Sequence, residues 1–234
     1  MTGSISISSS DRVFVLTGAG ISAESGLATF RDSGGLWSGF RIEDVATPEA
    51  WEADPALVWK FYSMRRRDAA AAEPNEAHRA LAQLEQRLGE RLFLCTQNVD
   101  DLHERGGSTQ VHHMHGELFQ SRCVQCEQPF GDRNDYEAKL PVCERCGAAV
   151  RPHIVWFGEV PLEMERIYRE LERATHLLVV GTSGSVYPAA GFVQIAKATS
   201  AKTIYIGPEE PLNRHAFDEI LLGTAVEVLP GWVG

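Results

Sequence analysis

The chain has 234 residues, and its 22 Lys and Arg against 32 Asp and Glu give a formal net charge of −10. Hydrophobic residues at 44% and charged residues at 23% are ordinary values for a globular protein, so a disordered or collagen-like chain is excluded. The acidic balance argues against a nucleic-acid-binding protein, because contact with a phosphate backbone needs a basic surface.

No window approaches about 18 consecutive apolar residues, which excludes a transmembrane helix. Residues 1–10 are polar and lack the basic-then-apolar layout of a secretory signal. We therefore expect a cytoplasmic protein that does not associate with a membrane, with a loose tail before its first strand.

Short apolar runs predict the strands of a sheet. Residues 12–17 form such a run and end at a glycine turn, and comparable runs lie at 92–96, 177–180, 203–206 and 225–228. Because these runs are continuous rather than alternating, they are typical of strands that are covered on both faces, as in a parallel sheet.

Helical patterns separate these runs. Leucines spaced by three and four residues predict a helix that ends at Gly89, and an Asp-Pro pair at 54–55 predicts the start of a helix that runs to about residue 72. A further helix is predicted around Ile167 and Leu171. This alternation indicates an α/β, doubly wound parallel sheet.

Two segments break the alternation and predict insertions. Residues 36–75 read as helical, without a strand, and residues 117–152 hold paired cysteines with little apolar periodicity. We expect 11–35, 76–116 and 153–234 to form the sheet domain.

The cysteines predict a metal site. Cys123 and Cys126 form one CxxC pair, and Cys143 and Cys146 form a second one sixteen residues later. Two such pairs supply four thiolates, which suits one structural zinc ion and leaves no open position for catalysis. Two disulfides or four unrelated thiols are the alternatives. The remaining Cys95, within a predicted strand, is interpreted as a small buried hydrophobe.

The glycine turn at 18–20 lets backbone amides approach a phosphate at a helix N-terminus, or it is a plain tight turn. A dehydrogenase would continue with a helix, a second strand and an acidic ribose ligand about twenty residues on. Residues 21–37 predict no second strand, so a redox dehydrogenase with a structural zinc is disfavoured.

Polar side chains follow the second predicted strand. Gln97, Asn98 and Asp100 lie where doubly wound sheets bind ligands, and they could hold a carboxamide or a ribose hydroxyl. A turn with an Asx cap is the alternative.

Three histidines, His112, His113 and His115, lie close together, and an alternating strand would put the last two on one face. Any of them is a candidate general base, and spacing alone does not choose among them.

Taken together, these motifs resemble the sirtuins. Gly-Ala-Gly-Ile-Ser at 18–22, Thr-Gln-Asn-Val-Asp at 96–100, His-Gly at 115–116, the two CxxC pairs and Gly-Thr-Ser at 181–183 occur in sirtuin order. The match is to the bacterial class III (CobB-type) members, which are NAD-dependent protein-lysine deacylases. It implies a Rossmann-like NAD-binding domain and a small lobe built from the two insertions, with zinc outside the chemistry.

The resemblance also implies roles for individual residues. His115 takes the general-base position. The positions that match cofactor-binding ones are Gly18, Ala19, Gly20, Ser22, Ala23, Phe30, Arg31, Gln97, Asn98, Val99, Asp100, Gly181, Thr182, Ser183, Gly207, Pro208, Glu209 and Ala225. The positions that match substrate-binding ones are Tyr62, Arg65, Val155, Phe157, Gly158, Glu159 and Val186.

The implied reaction consumes NAD as a co-substrate. The acyl oxygen of a modified lysine attacks C1′ of the nicotinamide ribose, and nicotinamide departs. Water then releases free lysine and O-acyl-ADP-ribose. The implied partners are NAD and acyl-lysine proteins or peptides, and we expect a monomer. A catalytically idle NAD- or peptide-binding module is the remaining alternative.

Tyr62 and Arg65 lie three residues apart on a predicted helix and face the same way. A phenol and a guanidinium on one face can bind a short carboxylate, whereas Arg66 and Arg67 alongside favour a solvated basic run. The resemblance favours an acyl pocket, which implies removal of succinyl or malonyl groups beside acetyl groups. Gly207-Pro208-Glu209 departs from the Asn-Leu-Glu-like segment of many sirtuins, so we expect a weaker ribose contact there.

Overall fold

The computed structural model describes residues 7–28, 36–37, 39–137, 139–182, 184 and 186–233, with the backbone alone at 36–37. The strands of this part, in chain order, are β1 (Val13–Thr17), β2 (Leu36–Trp37), β3 (Phe40–Arg41), β4 (Leu92–Thr96), β5 (Val111–His113), β6 (Gly116–Cys123), β7 (Pro129–Gly131), β8 (Val150–Ile154), β9 (His176–Val180), β10 (Lys202–Gly207) and β11 (Glu219–Leu222). The α-helices are α1 (Ile42–Val45), α2 (Pro48–Ala53), α3 (Pro55–Ala71), α4 (Glu76–Leu88), α5 (Leu102–Arg105), α6 (Met164–Glu172), α7 (Phe192–Ala198) and α8 (Ala225–Val233).

A parallel sheet with the order β11-β10-β9-β1-β4-β5 forms the centre of the large domain. Every residue of β1 is buried, because one face of the sheet packs against α4 and α8 and the other against α6 and α7. The predicted doubly wound α/β fold is therefore confirmed. Cys95 is fully buried in β4, as expected for a small hydrophobe.

The predicted helices are also found. Asp54 caps α3 by accepting a hydrogen bond from the Leu57 amide at 2.9 Å, with Pro55 at the first helical position. Gly89 follows the last residue of α4 and has a φ of +57°, a conformation that favours glycine.

The strand predicted at 225–228 is wrong, because this segment begins α8. Thr224 and Glu227 form a reciprocal capping box, in which the Thr224 amide donates to the Glu227 carboxylate at 2.8 Å and the Glu227 amide donates to the Thr224 hydroxyl at 3.3 Å. The edge strand is instead β11, whose partly exposed residues do not form a continuous buried run.

The two insertions share a second hydrophobic core. Contrary to the prediction, residues 36–75 contain strands, because β2 and β3 pair as a short antiparallel hairpin. Residues 117–152 contain most of an antiparallel sheet of the order β7-β6-β8, and the predicted boundaries at 116 and 152 fall inside its strands. Side chains of both insertions, together with two residues that follow the second one, meet in one buried cluster, which we call the small-lobe core: Val45, Ala46, Ala50, Val58, Trp59, Phe61, Tyr62, Ala69, Leu118, Val150, Ile154 and Trp156.

Arg66 joins the two insertions. It is buried on α3, and its guanidinium donates to the Leu118 carbonyl at 2.6 Å and to the Ser121 hydroxyl at 3.0 Å and forms an ion pair with Asp132 at 3.3 Å. The alternative of a solvated basic run is therefore wrong for this residue, although Arg67 is exposed.

Candidate active site and metal centre

The candidate site lies where the carboxyl ends of β9, β1 and β4 meet. The Gly18 amide donates to the Val180 carbonyl at 3.0 Å, and the Gln97 amide donates to the Thr17 carbonyl at 2.9 Å. The loops that follow the three strands are thus held side by side at one edge of the sheet.

Two of these loops touch backbone to backbone. The Gly20 amide donates to the Gly181 carbonyl at 2.8 Å, and a Cβ on Gly20 would lie 2.7 Å from the Gly181 Cα. Gly181 has a φ of +62°, and its own Cβ would lie 2.5 Å from the Ile21 nitrogen. Glycine is therefore required at both positions. The turn leads into the short 3₁₀ segments Ala19–Ile21 and Ala23–Ser25, so the predicted α-helix N-terminus beside it is not found.

Ser22, Asn98 and Asp100 form one buried polar cluster. The Asn98 side-chain amide donates to the Gly18 carbonyl at 3.1 Å and to the Ser22 hydroxyl at 3.2 Å. The Ser22 hydroxyl in turn donates to Asp100 Oδ2 at 3.3 Å. Burial raises the pKa of Asp100, although the backbone amide of Leu102 opposes this rise. All three are among the positions that the family resemblance matches to cofactor binding, and they lie together here.

Gln97 has an unsatisfied polar atom. Its side-chain Nε2 is buried and finds no hydrogen-bond partner among the described residues. A buried amide nitrogen without a partner carries a desolvation cost of about 1–3 kcal/mol, so an oxygen from a ligand would be favourable there.

The three candidate histidines lie in different environments. His112 stacks on Phe93 at 5.6 Å between ring centres, on the face of the sheet that packs against α6 and α7. His113 Nδ1 donates to the Asn98 carbonyl at 2.9 Å, and its Nε2 lies 2.8 Å from Glu104 Oε1. Because β5 ends at His113, the strand alternation expected to relate it to His115 does not extend that far.

His115 is half-buried in the turn after β5. Its Nδ1 donates to the Gln97 carbonyl at 3.1 Å, and since a carbonyl only accepts, Nε2 of the neutral ring carries the lone pair. Burial lowers the pKa of His115 below 6.5, although the Gln97 carbonyl opposes this shift. The ring is therefore neutral at pH 7 and can accept a proton at Nε2.

Tyr62 and Arg65 are both buried on α3. Tyr62 belongs to the small-lobe core, and Arg65 lies one turn further along the helix. Burial lowers the pKa of Arg65, while the charges of Asp68 and Asp100 favour its protonated form. Arg65 is therefore a buried cation that two carboxylates, those of Asp68 and Asp100, keep charged.

The predicted substrate-binding segment follows β8. The Val155 amide donates to the His115 carbonyl at 2.9 Å, and the Phe157 amide donates to the Ala46 carbonyl at 3.0 Å. Phe157 and Gly158 are exposed, and Gly158 has a φ of +92°. Glu159 instead turns inward and forms an ion pair with Arg151 at 2.7 Å. The segment is thus tied to the candidate base on one side and to the small lobe on the other.

The remaining predicted site residues lie on several different elements. Val99 packs against the small-lobe core, and Thr182 accepts a hydrogen bond from the Tyr205 hydroxyl at 3.3 Å through its carbonyl. Gly207 ends β10, followed by Pro208 and Glu209. Ala23 begins a 3₁₀ segment, Val186 accepts from the Ala190 amide at 2.8 Å, and Ala225 is buried at the start of α8 in the same core cluster as Ile21. Phe30, Arg31 and Ser183 lie outside the described residues.

The four paired cysteines form a metal-binding cluster. All four Sγ atoms lie within 4.8 Å of one another, and Cys146 Sγ lies 3.5 Å from those of Cys123 and Cys126. Four thiolates around zinc at about 2.3 Å would be about 3.8 Å apart, so the cluster fits this ion. All of these cysteines are free, which excludes disulfides among them.

The two CxxC segments share one backbone geometry. The Glu127 amide donates to the Cys123 carbonyl at 3.0 Å, and the Gly147 amide donates to the Cys143 carbonyl at 2.8 Å. Both residues that follow a pair, Glu127 and Gly147, have a positive φ. Two matched turns therefore present two thiols each, as a tetrahedral site requires.

Sequence reasoning missed Trp156 and Glu104. Trp156 is buried and donates a hydrogen bond to the Tyr62 hydroxyl, and Glu104 lies 2.8 Å from His113 Nε2. Neither belongs to a periodic pattern, and their partners are distant in sequence or lie on another element. Only the position of Trp156 within the predicted substrate-binding segment could have drawn attention to it.

The fold and the site define a class of protein, a doubly wound α/β domain with a four-cysteine metal module. Residues 18–188 match the Sir2 family. The chain belongs to the Sir2 family.

Curated relatives cover almost the whole chain. It is 52% identical to an NAD-dependent protein deacylase of Caulobacter vibrioides, over 95% of both chains. It is 51% identical to an NAD-dependent protein deacylase of Escherichia coli K12, over 95% of this chain and 81% of that protein. It is 48% identical to the NAD-dependent protein deacylase SIR2rp3 of Leishmania major, over 94% of this chain and 93% of that protein.

Solved structures give the same result. A mutant Sir2 homologue in complex with ADP-ribose has a TM-score of 0.90 and 43% identity, over 96% of this chain and 92% of that one. A Sir2 homologue in complex with NAD has a TM-score of 0.89 and 43% identity, over 96% and 89%. Within the described part of the chain, no helix combines the length and the apolar character needed to cross a bilayer.

Proposed function

We propose that this protein removes acyl groups from protein lysines with NAD as co-substrate, giving nicotinamide, O-acyl-ADP-ribose and free lysine. The observation that carries the proposal is the neutral, half-buried ring of His115, bonded to the backbone of Gln97 beside a buried amide and carboxylate. Curated relatives named NAD-dependent protein deacylases, at about half identity over nearly the whole chain, support the same activity.

The residues at the edge of the sheet fit NAD. The glycines at 18, 20 and 181 let the two loops pack backbone against backbone, and Gln97 Nε2, which has no partner among the described residues, offers a donor to a ribose oxygen. The proposed cofactor residues are those named from the sequence, with Gly181 and Ser183 on the phosphate and adenosine side. When bound, NAD supplies the ADP-ribosyl group that accepts the acyl group.

Ser22, Asn98 and Asp100 are proposed to hold the carboxamide of nicotinamide. An amide group needs both a donor and an acceptor, and this cluster presents an amide, a hydroxyl and a carboxylate linked by hydrogen bonds of 3.2 and 3.3 Å. Their mutual hydrogen bonds fix these side chains before any ligand arrives, so little entropy is lost on binding.

His115 is proposed as the general base. The Nδ1–H bond to the Gln97 carbonyl fixes the tautomer, so Nε2 is free to take a proton from a ribose hydroxyl. Its lowered pKa keeps the ring unprotonated at neutral pH, and the same hydrogen bond orients the ring toward the proposed ribose site at Gln97.

Tyr62 and Arg65 are proposed to recognise acidic acyl groups, so that succinyl and malonyl lysine are substrates beside acetyl lysine. A buried guanidinium beside a phenol can hold a carboxylate through charge-assisted hydrogen bonds. An acetyl group makes no such contact, so deacetylation depends less on the pair.

Residues 155–159, facing Val186, are proposed to bind the substrate backbone by strand addition. Support comes from the Val155 amide, whose bond to the His115 carbonyl places this segment next to the base. The exposed Phe157 side would then face the acyl-lysine peptide.

Zinc is proposed to hold the small lobe together without a part in the reaction. Four cysteine ligands complete its coordination and leave no open position. The domain division at 11–35, 76–116 and 153–234 against 36–75 and 117–152 is likewise proposed; the small-lobe core supports the pairing of the two insertions, although it also includes Ile154 and Trp156. We also propose a cytoplasmic monomer without nucleic-acid partners, because free thiolates suit a reducing compartment and the chain is acidic.

Mass spectrometry of matched acetyl-lysine and succinyl-lysine peptides, incubated with and without NAD, tests the activity. We expect NAD-dependent loss of both acyl masses and release of nicotinamide, abolished in His115→Tyr. Loss of the acetyl group only would keep the deacylase and reject the acidic-acyl pocket. No loss of either, from folded protein with zinc bound, would reject the enzyme in favour of a binding module.

A further inference from the structure

Trp156 makes a hydrogen bond to the proposed acyl pocket. Its indole Nε1 donates to the Tyr62 hydroxyl oxygen at 3.0 Å, and both side chains are almost completely buried, at 2% and 1% exposure. A buried indole N–H needs an acceptor, and here the acceptor is the phenol rather than a backbone carbonyl.

Arg151 and Glu159 hold Trp156 in place. The Arg151 guanidinium lies over its ring at 3.3 Å from the ring centre. Glu159 forms an ion pair with Arg151 at 2.7 Å and accepts the Trp156 backbone amide at 2.8 Å. The indole N–H therefore has one available direction, toward Tyr62.

This arrangement decides the role of the Tyr62 hydroxyl. An indole N–H can only donate, so the phenol oxygen is the acceptor and its own O–H is left to donate. Among the residues that the structure describes, none accepts a hydrogen bond from that O–H. A hydroxyl that already accepts one hydrogen bond becomes a better donor, because hydrogen-bond chains polarise one another.

We propose that Trp156 is a specificity-determining residue for acidic acyl groups, which orients the Tyr62 hydroxyl as a donor toward the acyl carboxylate. The proposal rests on the deacylase function and its acyl pocket proposed above, and it adds a residue that acts through Tyr62. An acetyl group offers no carboxylate to this O–H, so the effect is confined to succinyl and malonyl substrates.

Trp156→Phe tests the proposal, because it removes the N–H and keeps an aromatic ring beneath Arg151. We expect kcat/KM for a succinyl-lysine peptide to fall on the order of tenfold, mainly through KM. The reason is that the hydrogen bond from the Tyr62 hydroxyl to the charged acyl carboxylate becomes weaker. Deacetylation should change by less than about twofold on the same scale. Trp51→Phe is the matched control, because Trp51 lies 5.9 Å from Trp156 in the same core and should leave the succinyl-to-acetyl ratio unchanged.

A double-mutant cycle with Tyr62→Phe distinguishes the proposed route. If Trp156 acts through the phenol, Trp156→Phe should add no further loss of desuccinylation in the Tyr62→Phe background. An equal fall in both activities, or an independent loss in the double variant, would overturn the proposal. Should Trp156→Phe fail to fold, Tyr62→Phe alone decides: an unchanged succinyl-to-acetyl ratio would overturn it. Failure of the deacylase function is distinct, because wild-type protein would then release neither acyl group.

Discussion

Arg65 is the residue whose charge should matter most for acyl choice. Arg65→Met removes the guanidinium and keeps an unbranched side chain, so an acyl carboxylate would lose its opposite charge. We expect kcat/KM for desuccinylation to fall about ten- to hundredfold, as for a lost hydrogen bond to a charged group, and deacetylation to change far less. Steady-state kinetics on matched peptides measure both rates.

Arg67→Met is the matched control for this prediction. Arg67 lies two residues further along α3, is exposed, and pairs with Glu137 at 2.6 Å, away from the proposed pocket. An equal fall of both activities in Arg65→Met would reject the pocket assignment.

The pKa of His115 should set the fall of kcat/KM at acidic pH. Its pKa lies below 6.5 because burial disfavours the charged ring, and catalysis needs the neutral ring. The kcat/KM for an acetyl-lysine peptide should therefore be independent of this group above pH 7 and should fall only as the pH drops below 6.5. An acid limb centred at pH 7 or higher would contradict the assignment of His115 as base.

Three consecutive arginines show what the sequence could and could not predict at this scale. The spacing of residues 65–67 favours a solvated basic run and only the family resemblance favours a pocket, yet Arg65 and Arg66 are buried and Arg67 is exposed. The partners of Arg66 come from β6 and the loop after β7, more than fifty residues away, so no local pattern carries the information. By contrast, Asn98 and Asp100 follow a strand end directly, and their position could be predicted.

At the scale of elements, helices with strong apolar periodicity or a clear capping residue could be predicted from the sequence. The leucine pattern of α4 and the Asp-Pro start of α3 predicted those helices correctly. Residues 225–228 were misassigned because their apolar content resembles a buried strand, although Thr224 and Glu227 carry a capping-box signal. The strands β6 and β8 were missed because long-range pairing and the metal site, rather than local periodicity, define them.

The contact between the loops after β1 and β9 predicts a strict requirement for glycine at 181. Gly181→Ala would place a Cβ 2.5 Å from the Ile21 nitrogen at a φ of +62°. We expect a loss of about 1–3 kcal/mol from the strained backbone, and more from the clash, together with weaker NAD binding. Thermal unfolding and isothermal titration with NAD measure the two effects.

Gly89→Ala is the control that separates the cost of a strained backbone from the cost of a steric clash. Gly89 has a similar φ of +57°, but nothing lies within 4 Å of its Cβ position, so it should show only the backbone cost. If both variants lose the same stability and Gly181→Ala binds NAD normally, the loop contact is not required for the site.

At the scale of the whole molecule, only one of the two lobes has its hydrophobic core joined to the cysteine cluster. We therefore expect the stabilities of the two lobes to respond differently to loss of the metal. The large domain buries both faces of a parallel sheet, whereas the small-lobe core is joined to a four-cysteine cluster through β6 and β8. Structural zinc contributes folding free energy directly, because its ligands must otherwise be held apart as free thiols. We therefore expect the small lobe to depend on zinc and the sheet to depend on it much less.

Cys143→Ser tests this dependence. Metal analysis should show loss of about one zinc per chain, the number that one four-cysteine site holds. Three of the five tryptophans, Trp51, Trp59 and Trp156, lie in or against the small-lobe core, so their emission should shift to the red at a temperature about 10 °C lower than in the wild type, as for a loss of several kcal/mol. Far-UV circular dichroism should retain most of the helical signal of the large domain at that temperature.

Cys95→Ala is the control for this experiment, because Cys95 is a buried thiol of the sheet that lies outside the cluster. It should retain zinc and the emission of the small-lobe tryptophans while the sheet loses some stability from a small cavity. If Cys143→Ser unfolds in a single step, with simultaneous loss of the tryptophan and circular-dichroism signals, the two cores unfold as one cooperative unit. The two lobes would then have no separate stabilities. Two separated transitions would instead establish that zinc stabilises the part of the molecule that carries Tyr62, Arg65 and Trp156, so that metal loss should reduce acyl recognition before NAD binding fails.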